Sequence, residues 1–236
     1  LVKKTRYTAV SGATGSAWGG FRPIEECIVS MITGIAERVI TLKILENRRK
    51  VMKYGIVYSS QTGNTRKLAE GLKEELARIC RPEGMSCIYF GEPEGADEHM
   101  LEEGELWFAG FWTDKGDCDE KTAAFLERLH GKQVFLFGTA GFGESQEYFS
   151  RILSRVKEHL EETNICRGSF MCQGKMPESV RRRYEMMKEK DPERMEMLIR
   201  NFDQALSHPD DQDMEGLFQA AERFILTQKK ESAIVK

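Results

Sequence analysis

Much of what would assign a function quickly is missing from this chain. No apolar run approaches the roughly 20 residues that cross a bilayer, and no signal-peptide pattern opens the sequence as given. The six cysteines (Cys27, Cys80, Cys87, Cys118, Cys166 and Cys172) include no Cys-x-x-Cys pair, and no histidine stands at ligand spacing from two of them. Zinc modules and disulfide frameworks are therefore excluded, and the thiols read as reduced, in a cytoplasmic protein. Basic excess is lacking as well: the formal net charge is −3, which does not suit nucleic acid. His99, His130, His159 and His208 are isolated from one another and form no nucleophile–base pattern, so neither a catalytic residue nor a metal site is expected. There is no internal repeat and no low-complexity segment. What remains is a 236-residue chain, 40% hydrophobic and 31% charged, long enough for one sizeable core plus an appendage.

Apolar runs and helical patterns alternate from Met52 onward, which predicts a parallel sheet with right-handed crossovers. Strands are expected at residues 54–58, 86–90, 105–110, 133–138 and 168–173. Between them fall helices at 65–80, 118–129 and 146–162. Leu68, Leu72, Leu76 and Ile79 keep helical spacing in the first. The run at 133–138 is apolar throughout, as suits a central strand covered on both faces. After 173 come three amphipathic stripes: Val180, Tyr184 and Met187; Met195, Leu198, Ile199, Phe202 and Leu206; Leu217, Ala221, Phe224 and Ile225. One of these helices should cover the sheet and the others are extra. The Met-rich stripes (Met186, Met187, Met195 and Met197) are expected to serve core packing more than partner contact. The expected divisions are residues 1–51, a domain over 52–175, and a helical extension over 176–236 packing on it.

Residues 1–51 differ in character. Gly12, Gly15, Gly19 and Gly20 lie among Ser and Thr, and residues 24–45 offer one short amphipathic helix. Arg48-Arg49 stands just before Met52, and Arg-Arg can be encoded as AGGAGG, a bacterial ribosome-binding sequence. The segment is therefore expected to be upstream DNA translated in frame, which codons other than AGG at Arg48 and Arg49 would refute.

The most informative stretch is residues 54–65, where an apolar strand ends in Ser-Ser-Gln-Thr-Gly-Asn-Thr and a helix follows at once. Such a loop aims backbone N–H groups and hydroxyls at one point, at the positive end of a helix dipole, where a phosphate fits. A nucleoside-triphosphate loop would need a Lys after its second Gly, and a dinucleotide loop needs spaced glycines; both are absent. A mononucleotide held by neutral donors is left, and flavin mononucleotide (FMN) fits best.

Ser60-Gln61-Thr62-Gly63-Asn64-Thr65, directly after a first strand, resembles the phosphate loop of the flavodoxins. Two further segments stand where that family places its ring contacts: Gly110-Phe111-Trp112-Thr113-Asp114-Lys115-Gly116 and Gly138-Thr139-Ala140-Gly141-Phe142-Gly143-Glu144. They resemble a gut-bacterial subgroup associated with bilirubin reductase. The resemblance spans residues 53–173 and implies an α/β, doubly wound, five-stranded parallel sheet of order 2-1-3-4-5 with extra C-terminal helices. It also implies FMN, with Ser60, Gln61, Thr62, Gly63, Asn64 and Thr65 at the phosphate. The implied ring residues are Phe111, Trp112, Thr113, Thr139, Ala140, Gly141, Phe142 and Gly143. The hydroxyls of Ser60, Thr62 and Thr65 and the Asn64 amide would grip the phosphate, and Gly110 and Gly138 would let the backbone approach the ring. Trp112 is the expected first wall of the ring and Phe142, where the family often has Tyr, the second; Tyr148 reaches either the ring edge or the core.

The function implied is electron transfer to a redox partner protein, such as a reductase acting on a tetrapyrrole (bilirubin), by a monomer or weak dimer. Two alternatives stand beside it: an FMN-dependent NAD(P)H oxidoreductase acting on a quinone or tetrapyrrole precursor, and a binding module that has lost its flavin. The chain shows no Arg cluster near the loops for a dinucleotide phosphate, which favours the carrier. Eleven acidic residues between Glu92 and Glu120, opposed in that stretch by Lys115, form either a solvated face or a steering surface for a basic partner.

Overall fold

Among the described residues six strands form the sheet: β1 (Lys53–Tyr58), β2 (Ser86–Gly91), β3 (Leu106–Asp114), β4 (Asp117–Cys118), β5 (Gln133–Ala140) and β6 (Ile165–Gln173). They are seen in a computed structural model that describes residues 51–143 and 145–234, together with Arg38. The expectations for residues 1–50, the helix over 24–45 included, lie outside the described residues.

Five strands pair in parallel in the order β2-β1-β3-β5-β6, the doubly wound arrangement expected. The sixth, β4, is an addition: it pairs antiparallel with the outer end of β3, Thr113 opposite Cys118 and Asp114 opposite Asp117. The predicted loop at residues 111–117 is thus a hairpin. Its turn residues Lys115 (φ 48°) and Gly116 (φ 86°) both have positive φ, the conformation of the tight turn that matches strand twist. β3 therefore runs four residues beyond its expected end at Gly110.

Among residues 51–234 seven α-helices are described: α1 (Asn64–Cys80), α2 (Glu98–Glu103), α3 (Glu120–Glu127) and α4 (Gln146–Glu158) lie between strands, and α5 (Glu178–Met187), α6 (Pro192–Ala205) and α7 (Asp211–Ile234) follow β6. The short α2 was not expected. Asp97 caps it by accepting from the Met100 amide, but with Leu101 as its one buried residue it carries no periodicity to read. α3 is shorter than the predicted 118–129 because Asp119 caps it, accepting from the Thr122 amide, and Cys118 belongs to β4.

Side chains alternate across β3 and divide the core. Trp107, Ala109 and Phe111 join Phe125, Leu126, Phe149 and Ile152 on one face. Leu106 and Phe108 join Leu68, Leu72, Leu217, Ala221 and Phe224 on the other. Such two-sided burial explains why the central strands read as continuous apolar runs. Phe224 of α7 packs on Phe108 and Phe135 with both ring centroids at 5.5 Å, so α7 is the helix that covers the sheet. Between β6 and α7 lie α5, with no buried residue, and α6, which buries Met195, Asn201, Phe202 and Ala205. The Met stripes correct the expectation: Met195 is buried, but Met186, Met187 and Met197 are exposed, since among the described residues no layer covers that side of α5 and α6.

Candidate functional site

Three loops leave the sheet side by side at the carboxyl ends of its strands. The Ser59 amide donates to the Gly110 carbonyl at 2.9 Å, tying the end of β1 to β3. β3 and β5 stay in register to their ends, with Phe111 beside Gly138 and Trp112 beside Thr139. The segments 59–63, 111–116 and 141–143 thus share one edge. They do so where strand order reverses between β1 and β3, the crevice in which doubly wound folds bind ligands.

The first loop is shaped by Gly63, whose φ of 87° places it in the left-handed region just before α1. No side chain caps that helix, so the amides of its first turn face the loop without a protein partner from a capping residue. The Ser60 hydroxyl is buried and makes no hydrogen bond. Two other predicted phosphate donors point elsewhere. The Asn64 amide spends both N–H groups inside the protein, on Thr62 Oγ1 at 2.8 Å and the Lys175 carbonyl at 2.9 Å. Thr65 is wholly buried; its hydroxyl donates to the Phe111 carbonyl at 3.2 Å and lies 3.1 Å from Thr139 Oγ1. Both side chains brace the loop instead of reaching into it. Ser60, Thr62 Oγ1 and the backbone amides of residues 61–64 remain as donors, with Gln61 exposed beside them.

The ring loops need similar correction. Phe111 is fully buried in the core, so only its backbone belongs to the edge, and Ala140 is likewise a core residue. Thr139 is taken up by Thr65. The glycines at 110 and 138 make room for protein rings. A Cβ at Gly110 would lie 2.3 Å from the Phe137 ring, and one at Gly138 would lie 2.5 Å from the Phe111 ring. Trp112 and Phe142 are partly exposed at the edge. Phe142 meets Tyr148 edge-on at 6.4 Å, and Tyr148 in turn packs on Phe149, so Tyr148 supports the loop from the core side. Thr113 Oγ1 is a second buried hydroxyl without a partner.

Two amides behind the third loop, Gln173 at the end of β6 and Asn201 in α6, carry no signal in the sequence pattern. Gln173 Nε2 donates to the Gly141 carbonyl at 3.0 Å and to Asn201 Oδ1 at 3.1 Å, and Asn201 Nδ2 donates to the same Gly141 carbonyl at 2.9 Å. One ends a strand and one lies inside an amphipathic stripe; their meeting depends on a fold no local pattern encodes.

Several charges of the acidic stretch are paired. Lys121 holds Glu94 at 2.7 Å and Glu92 at 3.4 Å, Lys53 holds Glu103 at 2.6 Å, and Arg128 holds Glu98 at 2.7 Å. Hydrogen bonds to these lysines draw the Glu94 and Glu103 carboxyls below their ordinary range. The acidic stretch is thus opposed by cations from outside it as well as by Lys115. The histidines, isolated in sequence, each meet a carboxylate: His159 lies 3.3 Å from Asp117 and 3.5 Å from Glu127, and His208 2.6 Å from Asp213. His99 faces Glu103 at 4.0 Å, and His130 pairs with Glu161. Burial and the neighbouring Asp117 and Asp119 push the Cys118 thiol up to about 12, so it is no nucleophile at neutral pH.

A sheet edge of this topology, with an uncapped helix start and two unpartnered hydroxyls beside partly exposed aromatic rings, defines a mononucleotide-binding α/β protein. The family model described as Flavodoxin domain matches residues 55–222, and the chain belongs to the flavodoxin family, whose members bind FMN and transfer electrons. Within it, the chain is 45% identical over 176 residues to the flavodoxin-like domain-containing protein BilS of Clostridium symbiosum (strain WAL-14163), covering 69% of this chain and 90% of the relative. It is 34% identical over 165 residues to the protein of that name in Clostridioides difficile (strain CD3), with the same shares covered. Among solved structures, oxidised flavodoxin 2 of Bacillus cereus is 19% identical, with a TM-score of 0.49, over 74% of this chain and 99% of that one. Among the described residues, no helix is long and apolar enough to cross a membrane.

Proposed function

We propose that FMN binds with its phosphate against residues 60–64 and its ring between Trp112 and Phe142, and that the protein passes electrons to a reductase acting on a tetrapyrrole such as bilirubin. The observation that carries the binding reading is the buried, unpartnered Ser60 hydroxyl beside the uncapped start of α1, at the point where strand order reverses. Bound there, FMN supplies one-electron steps between proteins. The chain's own part is to hold it with neutral donors. These leave the phosphate charge partly uncompensated, which disfavours a further negative charge on the ring and lowers the potential of its full reduction. Trp112 and Phe142 supply flat apolar walls, and the edge leaves the ring open to a docking protein. The tetrapyrrole partner rests on the resemblance of the loops at 110–116 and 138–144 to a subgroup associated with bilirubin reductase, and the relatedness to the flavodoxin-like BilS proteins supports placing the chain in that subgroup. A monomer or weak dimer in the cytoplasm suits such a carrier.

Purified protein should be yellow or become so with added FMN, and should support turnover by a bilirubin reductase supplied with electrons. Steady NADPH oxidation by the isolated protein would contradict the carrier reading and favour an oxidoreductase. A preparation that takes up no FMN would contradict both.

A further inference from the structure

Helices α5 and α6 interrupt an otherwise complete five-stranded fold, yet α6 carries a fully polar side chain into the interior. Asn201 is 2% exposed, and it meets Gln173, 9% exposed, in a closed network. Burying two amides is costly unless every group is used. Here the use is specific: both amides donate to one acceptor, the Gly141 carbonyl, at 2.9 and 3.0 Å. Asn201 Oδ1 then accepts from Gln173 at 3.1 Å, which fixes which way each amide faces. Both neighbouring glycines sit close against side chains. A Cβ at Gly141 would lie 2.7 Å from Met176 Sδ, and one at Gly143 would lie 2.7 Å from Gln173 Oε1. The same short segment after β6 reaches the phosphate loop, since the Lys175 carbonyl accepts from Asn64 and the Gly174 amide donates to the Ala140 carbonyl. α6 is itself anchored by buried Met195, Phe202 and Ala205, and by Arg181 of α5, which holds Asp203 at 3.1 Å.

We propose that the α5–α6 hairpin is a clamp on the flavin loop, with Asn201 as a positioning residue that fixes the 141–143 backbone against which the ring packs. This rests on the FMN reading above. Asn201 touches no cofactor in this scheme; it acts through the Gly141 carbonyl. Flavin affinity then depends on a helix outside the five-stranded core.

The test uses the full chain and three variants. Asn201→Leu keeps the branching and number of heavy atoms and removes the amide. Asn201→Asp keeps an acceptor for Gln173 and loses the donor to Gly141. Met197→Ala, on the exposed side of the same helix, is the control. Three quantities are read: FMN dissociation constant from flavin fluorescence quenching, amide exchange at residues 141–143 without FMN, and denaturation midpoint. Both Asn201 variants should raise the dissociation constant about tenfold, the equivalent of one lost buried hydrogen bond. They should also speed exchange at 141–143 with the β1, β3 and β5 amides unchanged, and the control should move neither. A folded Asn201 variant with FMN affinity and 141–143 exchange unchanged would overturn the clamp. If the wild-type protein binds no FMN, the cofactor reading fails separately, and the exchange result alone decides the clamp. If neither Asn201 variant folds, Gln173→Met, which removes the other donor to Gly141, is judged on the same two readouts.

Discussion

Thr65 shows how a residue's type can be read correctly and its target wrongly. A Thr opening a helix after a Ser/Thr/Asn loop suggests a phosphate ligand, but its hydroxyl is committed to the Phe111 carbonyl and Thr139. Thr65→Val should therefore destabilise the apoprotein by about 1–3 kcal/mol in urea, because Val leaves buried groups unpaired; a neutral effect would mean the hydroxyl faces the loop after all. Gly63 behaves differently. A Cβ there would meet nothing within 4 Å, so Gly63→Ala should cost only the left-handed backbone, roughly 1–2 kcal/mol. The thiols make a pH prediction. Burial, with Asp117 and Asp119, raises Cys118 from its ordinary 9.0 to about 12 in the folded protein. Burial also pushes up the Cys172 thiol and the Tyr54 phenol. Groups raised on folding stabilise fully below their unfolded values and lose that contribution as pH climbs toward the folded ones. The denaturation midpoint should thus fall between about pH 9 and 12, and a midpoint flat across that window would contradict the burial described.

At the scale of elements, periodicity carried the parallel strands and the helices flanking them, because each has a long apolar face. It failed where structure depends on a distant partner. β3 continues to Asp114 only because Lys115-Gly116 turns it onto β4. The Met stripes of α5 and α6 match a buried pattern, yet nothing covers Met186 and Met197 among the described residues. α7 is the reverse case, a helix late in the chain that closes the core. Phe224→Ala should cost about 3–5 kcal/mol, the range for a large buried aromatic, whereas Met186→Ala should change stability by no more than about 0.5 kcal/mol. Equal effects in chemical denaturation would show that α7 is not part of the cooperative unit.

For the molecule as a whole, the topology was legible in the alternation of apolar runs and helical stripes, and with it that three loop motifs following three strands share one edge. The division of labour within the site was not. Which hydroxyls face inward, that Gly110 and Gly138 serve the Phe137 and Phe111 rings, and that Gln173 and Asn201 hold the third loop all depend on packing between segments far apart in sequence. The acidic stretch likewise gains ion pairs with Lys53, Lys121 and Arg128, so its field is weaker than the run of acidic residues suggests. The central claim is that FMN occupies this edge, and a crystal structure of the protein loaded with FMN tests it most directly. The phosphate should lie within hydrogen-bond reach of Ser60 Oγ and the 61–64 amides, with the ring against Trp112 and Phe142. A flavin bound elsewhere on the molecule, or a ring in contact with neither aromatic, would contradict it.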